Sequence, residues 1–177
     1  MFAWRTGACP GHLHTTGRDG RLGRYYEEFH VGDQLCTPAR TITESDVMSF
    51  AQLTGDFNPL HTDFEFAKTQ RFGRPVAHGM LGLSVLLGLV ARLNVFDGTA
   101  VALLGVENWK FAAPVFFGDT VHGVITIRDM RETRDARYGI LYRDAQLVNH
   151  TGTVVQQGQL NIMMMRQLPN HEGDFKE

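Results

Sequence analysis

The ten residues Thr54-Gly55-Asp56-Phe57-Asn58-Pro59-Leu60-His61-Thr62-Asp63 set a carboxylate, an amide and an imidazole around one rigid turn. A carboxylate and an imidazole that share a water can take a proton from it as it attacks carbon. They can also return a proton to the neighbouring carbon. Both steps are needed to add water across a double bond conjugated with a thioester carbonyl. In one helix Asp56 and His61 would lie about 140° apart around the axis. A loop folded at Asn58-Pro59 instead turns both inward, with Asn58 placed to orient either one through its side chain. The same residues also read as plain structure. Gly-Asp and Asn-Pro are ordinary turn pairs, with Asp56 bracing the loop and His61 packed beneath it. Asp63 reads as the N-cap of a following helix.

A second group, Arg74-Pro75-Val76-Ala77-His78-Gly79-Met80, leads into an apolar segment. A helix N-terminus offers unpaired amides and a partial positive charge. Gly79 lets a ligand approach those amides, where an oxyanion developing on a thioester carbonyl would be stabilised. The alternative is a glycine that only permits tight packing, beside a satisfied core His78. Ser84 is the one hydroxyl in the apolar segment, placed to bond back to its own helix or to touch the thioester. Arg71, Arg74 and Lys110 are candidates for the phosphates of coenzyme A, or else solvated surface. His12 and His14 form an HxH pair with no second ligand cluster, so no metal site is expected. Cys9 and Cys36 have no CxxC spacing and read as free thiols in a reducing compartment.

These residues need elements to hold them. Thr43-Glu44-Ser45-Asp46 reads as a capping box. Val47, Phe50, Ala51 and Thr54 then follow at helical spacing, and Gly55 is a left-handed stop. The loop 56–61 comes next, then a short helix over 63–70. Residues 80–93 are apolar at nearly every position, so this helix is enclosed on most sides. Residues 35–42 suggest a first strand, short or at an edge because of Pro38. Residues 99–111, 120–130, 138–148 and 153–165 read as longer strands. Val121, Ile125 and Ile127 share one face of their strand. In the last strand Val154, Leu160, Ile162 and Met164 alternate with Gln157, Gln159 and Asn161. Asn149-His150-Thr151-Gly152 and residues 131–137 are the turns between them. Helices first, then hairpin strands, suggest an α+β fold with an antiparallel sheet.

The chain has 177 residues, 43% of them hydrophobic, enough for one cored domain but not two. Residues 1–24 are rich in glycine and arginine without hydrophobic period, and read as a flexible extension. The domain is expected over 25–167, with a tail at 168–177. A net charge of -2 gives no basic field for nucleic acid or an anionic membrane. No secretory leader or membrane span is visible, so a cytoplasmic protein is expected.

The chain resembles the MaoC-like dehydratases, which include the (R)-specific enoyl-CoA hydratases. The resemblance covers about residues 25–165. It rests on Gly55-Asp56-Phe57-Asn58-Pro59-Leu60-His61, on Arg74-Pro75-Val76-Ala77-His78-Gly79-Met80, and on Pro114-Val115-Phe116-Phe117-Gly118-Asp119. It implies a single hot-dog fold, a long central helix wrapped by a curved antiparallel sheet. It implies that Asp56 and His61 hold the catalytic water and that the Gly79 amide receives the thioester oxygen. Substrate contacts are expected from Asn58, His78, Ser84, Arg74 and Lys110. The expected ligand is an acyl-CoA handled with (R)-stereochemistry, without metal or redox cofactor. Some members carry a hydroxyl further along the central helix, where Leu87 stands here, and this touches acyl preference. One hot-dog leaves a sheet edge that natural proteins cover, so a homodimer or higher homo-oligomer is expected. Two rivals share the fold. A thioesterase would hydrolyse the thioester and needs no residue to protonate an α-carbon. A non-catalytic acyl-CoA binding module would keep the pocket and lose the Asp/His pair.

Overall fold

The computed structural model describes residues 23–167, so the expected extension and C-terminal tail lie almost wholly outside the described residues. Within them a strand-broken first segment leads to four helices and then to four strands of 12 or 13 residues. The elements are β1 (Gln34–Cys36), β2 (Arg40–Thr41), α1 (Glu44–Thr54), α2 (Pro59–Thr62), α3 (Phe64–Lys68), α4 (Gly79–Ala91), β3 (Ala100–Phe111), β4 (Thr120–Glu132), β5 (Tyr138–Asn149) and β6 (Val154–Met165). All pairings are antiparallel, in the order β1-β4-β5-β6-β3, with β2 also on β4.

The α+β reading holds. The central helix packs its Leu81, Leu83, Val85, Leu86, Leu89 and Val90 into one core with Val121, Ile125 and Ile127 of β4, Leu141, Ala145 and Leu147 of β5, and Leu160, Ile162 and Met164 of β6. One face of α4 stays open: Met80, Ser84, Gly88 and Ala91 are exposed, with Leu87 half-buried. Their spacing marks a single stripe, so the helix is less enclosed than its apolar sequence suggests. Gly23 and Arg24 are buried beside the segment after α4, where the Arg24 amide donates to the Val95 carbonyl at 2.8 Å.

Three expectations need correction. The first strand is split at 37–39, because Pro38 has no N–H to offer β4. The Thr37 hydroxyl bridges the gap by accepting from the Gly123 amide at 2.8 Å. Residues 59–62 are a helical turn rather than loop, since Pro59 is pre-set for a first helical position and Asn58 caps it. Cys36 is disulfide-bonded instead of free, a pairing that spacing could not foretell. Cys9 lies outside the described residues, and the reducing compartment loses the support drawn from free thiols.

The last strand carries an irregularity where it meets the site. Its partner register steps from Leu147↔Gln156 to Val148↔Val154, leaving Val155 as the extra residue. Val155 is therefore buried and Val154 only half-buried, the reverse of a strict alternation.

Candidate active site

Helix α1 delivers the carboxylate. Its capping box is formed, with the Thr43 hydroxyl accepting from the Asp46 amide at 3.2 Å and Asp46 accepting from the Thr43 amide at 2.9 Å. Arg40 pairs with the same carboxylate. Burial alone would raise the Asp46 carboxyl, but the Thr43 hydrogen bonds and Arg40 outweigh it and hold it below its ordinary value. At the other end Gly55 sits at φ 78°, a left-handed stop that turns the chain straight into Asp56.

Asp56 accepts from the Asn58 amide at 3.3 Å, and Asn58 accepts from the Leu60 amide at 3.0 Å. The Asn58 side chain is thus the cap of α2; it shapes the turn and makes no hydrogen bond to Asp56 or His61 side chains. That cap starts the single helical turn that carries His61. The His61 Nδ1 lies 2.7 Å from the Val76 carbonyl, while the Val76 amide donates to the Leu60 carbonyl at 3.3 Å. Val76 and Ala77 are fixed from the far side, by an isolated bridge to Phe116 and by Ala77 donating to Val115 at 2.8 Å. The motif around residues 114–119 therefore braces the segment that orients His61. Its own turn closes through the Phe116 amide donating to Asp119 at 2.9 Å.

A carbonyl can only accept, so the His61 Nδ1 carries a proton, and Nε2 is the nitrogen left to accept whenever the ring is neutral. His78 lies beneath, 4% exposed, its ring centroid 3.8 Å from that of His61 at 31°. Its Nε2 is 3.0 Å from the Asp56 backbone carbonyl and 3.9 Å from the Asp56 carboxylate. One oxygen of Asp56, one ring nitrogen of His61 and one of His78 all fall within 4.8 Å of one another. A water donating two bonds of about 2.8 Å spans acceptors roughly 4.6 Å apart. The trio also has the composition of a two-His, one-carboxylate metal site. Metal–nitrogen bonds of about 2.0–2.1 Å need converging lone pairs. Here the ring centroids lie 3.8 Å apart at a 31° tilt, and each ring bonds a backbone carbonyl through one nitrogen, as metal-ligating histidines also do.

Beside the trio is a cavity of about 530 Å³, lined by His61 and Arg71, by Gly79 and Met80 at the start of α4, by Phe111 to Val115, and by Gln156. Residue His78 caps α4 without a side-chain hydrogen bond, and the first α4 amide with a carbonyl partner is that of Gly82, to His78 at 3.3 Å. The positive end of the helix thus opens on the cavity. A Cβ at Gly79 would stand 2.8 Å from the ring of the exposed Phe111, which would have to move aside.

The other expected contacts divide. Arg71 lines the cavity, whereas Arg74 is not part of its lining and stacks its guanidinium 3.6 Å over the Phe116 ring. Lys110 is exposed on β3 and Ser84 lies on the open stripe of α4; neither lines the cavity. His78 is a buried support for the pair, away from the cavity surface. Sequence reading missed Gln156 and Phe111. Gln156 shares even-numbered parity with the core residues Leu160, Ile162 and Met164, which marked it as a polar side chain on an apolar face.

The family model described as MaoC like domain matches residues 28–148. The chain belongs to the MaoC-like domain family. Among its relatives, the (R)-specific enoyl-CoA hydratase of Rhodospirillum rubrum is 31% identical over 82% of this chain and 95% of its own length. Protein MaoC of Klebsiella aerogenes is 39% identical over 59% of this chain, which spans only 31% of that protein. A Mycobacterium tuberculosis protein described as having a double hotdog fold superposes with a TM-score of 0.73 at 18% identity, a likeness of fold alone. It covers 86% of this chain and 47% of that one, so this MaoC-like chain is one hot-dog unit. Among the described residues no helix is long and apolar enough to cross a membrane.

Proposed function

We propose that this MaoC-like chain adds water reversibly to trans-2-enoyl-CoA, giving (R)-3-hydroxyacyl-CoA, or runs the dehydration. One observation carries the reading: an Asp56 carboxylate oxygen and a His61 ring nitrogen lie within 4.8 Å of each other, close enough to share a water, while the Val76 carbonyl takes the His61 Nδ1. A water donating to both has its oxygen lone pair directed outward, toward a β-carbon in the cavity. His61 Nε2 takes the proton as the C–O bond forms, and the resulting enolate oxygen is received by the Gly79 amide at the uncapped start of α4. Protonation of the α-carbon by the pair completes the addition, and the hand at the β-carbon is set by which face of the double bond the cavity turns toward the water. The relative from Rhodospirillum rubrum supports the substrate class and the (R)-hand. The thioesterase reading would leave the second proton donor without a task.

A second copy of the chain completes the picture. Strand β3 is at the sheet edge, and Val101, Leu103, Leu104, Val106 and Phe111 on it are all exposed. A bare apolar edge of this length is one that soluble proteins cover. The open stripe on α4 adds to it, and Phe111 ties this edge to the cavity. Edge-to-edge pairing of two chains would give the two-unit sheet that a double hot-dog holds in one chain.

The test is loss of the conjugated-enoyl absorbance of crotonyl-CoA and of longer and branched enoyl-CoAs. Water-dependent loss with (R)-3-hydroxyacyl-CoA as product is expected. Release of free thiol from a saturated acyl-CoA, abolished by Asp56→Asn, would hand the site to the thioesterase reading.

A further inference from the structure

We infer that the side-chain amide of Gln156 is a second hydrogen-bond donor to the acyl thioester, beside the Gly79 amide. The inference rests on the hydratase reading of the same cavity. Gln156 stands on the core face of β6, 3% exposed, where an unsatisfied amide would be expensive. Its Oε1 accepts from the Trp109 indole N–H at 3.2 Å, and its Nε2 donates to the Gly79 carbonyl at 3.0 Å. The two bonds fix which way round the amide lies. An indole N–H can only donate and a carbonyl can only accept, so both partners demand the same orientation.

That leaves one N–H over. The Nε2 nitrogen carries two hydrogens, only one goes to Gly79, and the other has no partner among the described residues. Gln156 lines the same cavity as Gly79 and His61. Helix α4 makes room for this amide: a Cβ on Gly82 would stand 2.1 Å from Nε2. Trp109, the Gly79 carbonyl and the bare face of Gly82 thus hold one neutral donor rigidly at the start of α4. A buried amide placed only for packing would have its hydrogens spent on protein acceptors. Charge that builds on the thioester oxygen during water addition is stabilised by a donor already held in place. Gln156 transfers no proton; it only polarises.

The test uses the full chain with Gln156→Met, which keeps length and removes the donor, and Gln156→Glu, which keeps the acceptor for Trp109 and replaces the donor with oxygen. Both should lower kcat for crotonyl-CoA by about 10²-fold, the usual scale for one lost oxyanion donor, with KM little changed. In an Asp56→Asn background, which should turn over slowly enough to hold bound substrate, the infrared carbonyl stretch of bound carbonyl-labelled crotonyl-CoA reads polarisation directly. Gln156→Met should move that stretch back toward its solution value. An unmoved stretch, or unchanged kcat in a folded variant, overturns the inference and leaves the hydratase reading standing. Should the Gln156 variants fail to fold, Trp109→Phe decides, since it frees the amide to turn: a partial return of the stretch supports the inference and none overturns it. A wild-type chain that hydrates no enoyl-CoA would sink the hydratase reading instead, while the stretch of a bound thioester would still report on Gln156.

Discussion

Gly82 and Gly88 lie on the same apolar helix, yet replacing each with alanine should shift stability in opposite directions. A Cβ at Gly82 would fall 2.1 Å from Nε2 and 2.9 Å from Cδ of Gln156. That side chain is buried and pinned at both ends, so it yields only by giving up its bonds to Trp109 and Gly79. Each such bond is worth about 1 kcal/mol net. Forcing a methyl into a packed interior costs about 1–3 kcal/mol. Alanine in place of helical glycine returns up to roughly 1 kcal/mol. Gly82→Ala should therefore destabilise by about 2–4 kcal/mol. Nothing lies within 4 Å of a Cβ built on Gly88, so Gly88→Ala keeps the helix gain alone, about 0.5–1 kcal/mol. Equilibrium urea unfolding separates them. With a slope of about 2 kcal/mol per molar, the first midpoint should fall by roughly 1–2 M and the second should rise slightly. A Gly82→Ala protein that unfolds at the wild-type midpoint would refute the close approach of α4 to Gln156. A Gly88→Ala protein that loses stability would show that the open stripe is covered in solution.

The remaining predictions concern the pair, the edge and the cap. Asp56→Asn and His61→Ala should each lower kcat for enoyl-CoA hydration by at least ~10²-fold with a small change in KM. The double variant should be little worse than either, because both act on one water; near-normal hydration by the folded single variants would make the loop structural. Light scattering should give at least a dimer mass, and Leu103→Lys on the exposed β3 edge should lower it; a wild-type monomer at working concentration would refute the edge pairing. Asp46, held below its ordinary carboxylate value in the fold, contributes stability that is complete above that ordinary value. The contribution fades as pH falls through the lowered one. Asp46→Asn should therefore lose stability at neutral pH and unfold with a shallower acid dependence; an acid profile parallel to wild type would contradict this.

Much of the site was legible because its information is local. The capping box at Thr43, the stop at Gly55, the N-cap at Asp63 and the turn at Asn149 each follow from what neighbouring backbone groups need, and all are present. The four long strands were placed within a few residues of their bounds, since alternation on β4 reports a half-buried face directly. The helical turn at Pro59 was missed because an Asn-Pro pair serves a turn and a helix start equally well. Which nitrogen of His61 is bare depends on Val76, fifteen residues away and fixed by the bracing at Val115 and Phe116. That His78 supports His61 instead of facing a ligand depends on how α2 meets the start of α4. Gln156 reaches Gly79 across 77 residues of sequence, through a strand whose phase is reset by the bulge at Val155. Local rules determined the elements and the residues with chemistry to offer. The direction in which each donor and acceptor points was decided by carbonyls and amides brought together only when the sheet closed over α4, because a hydrogen bond is set by position in space and not by distance along the chain.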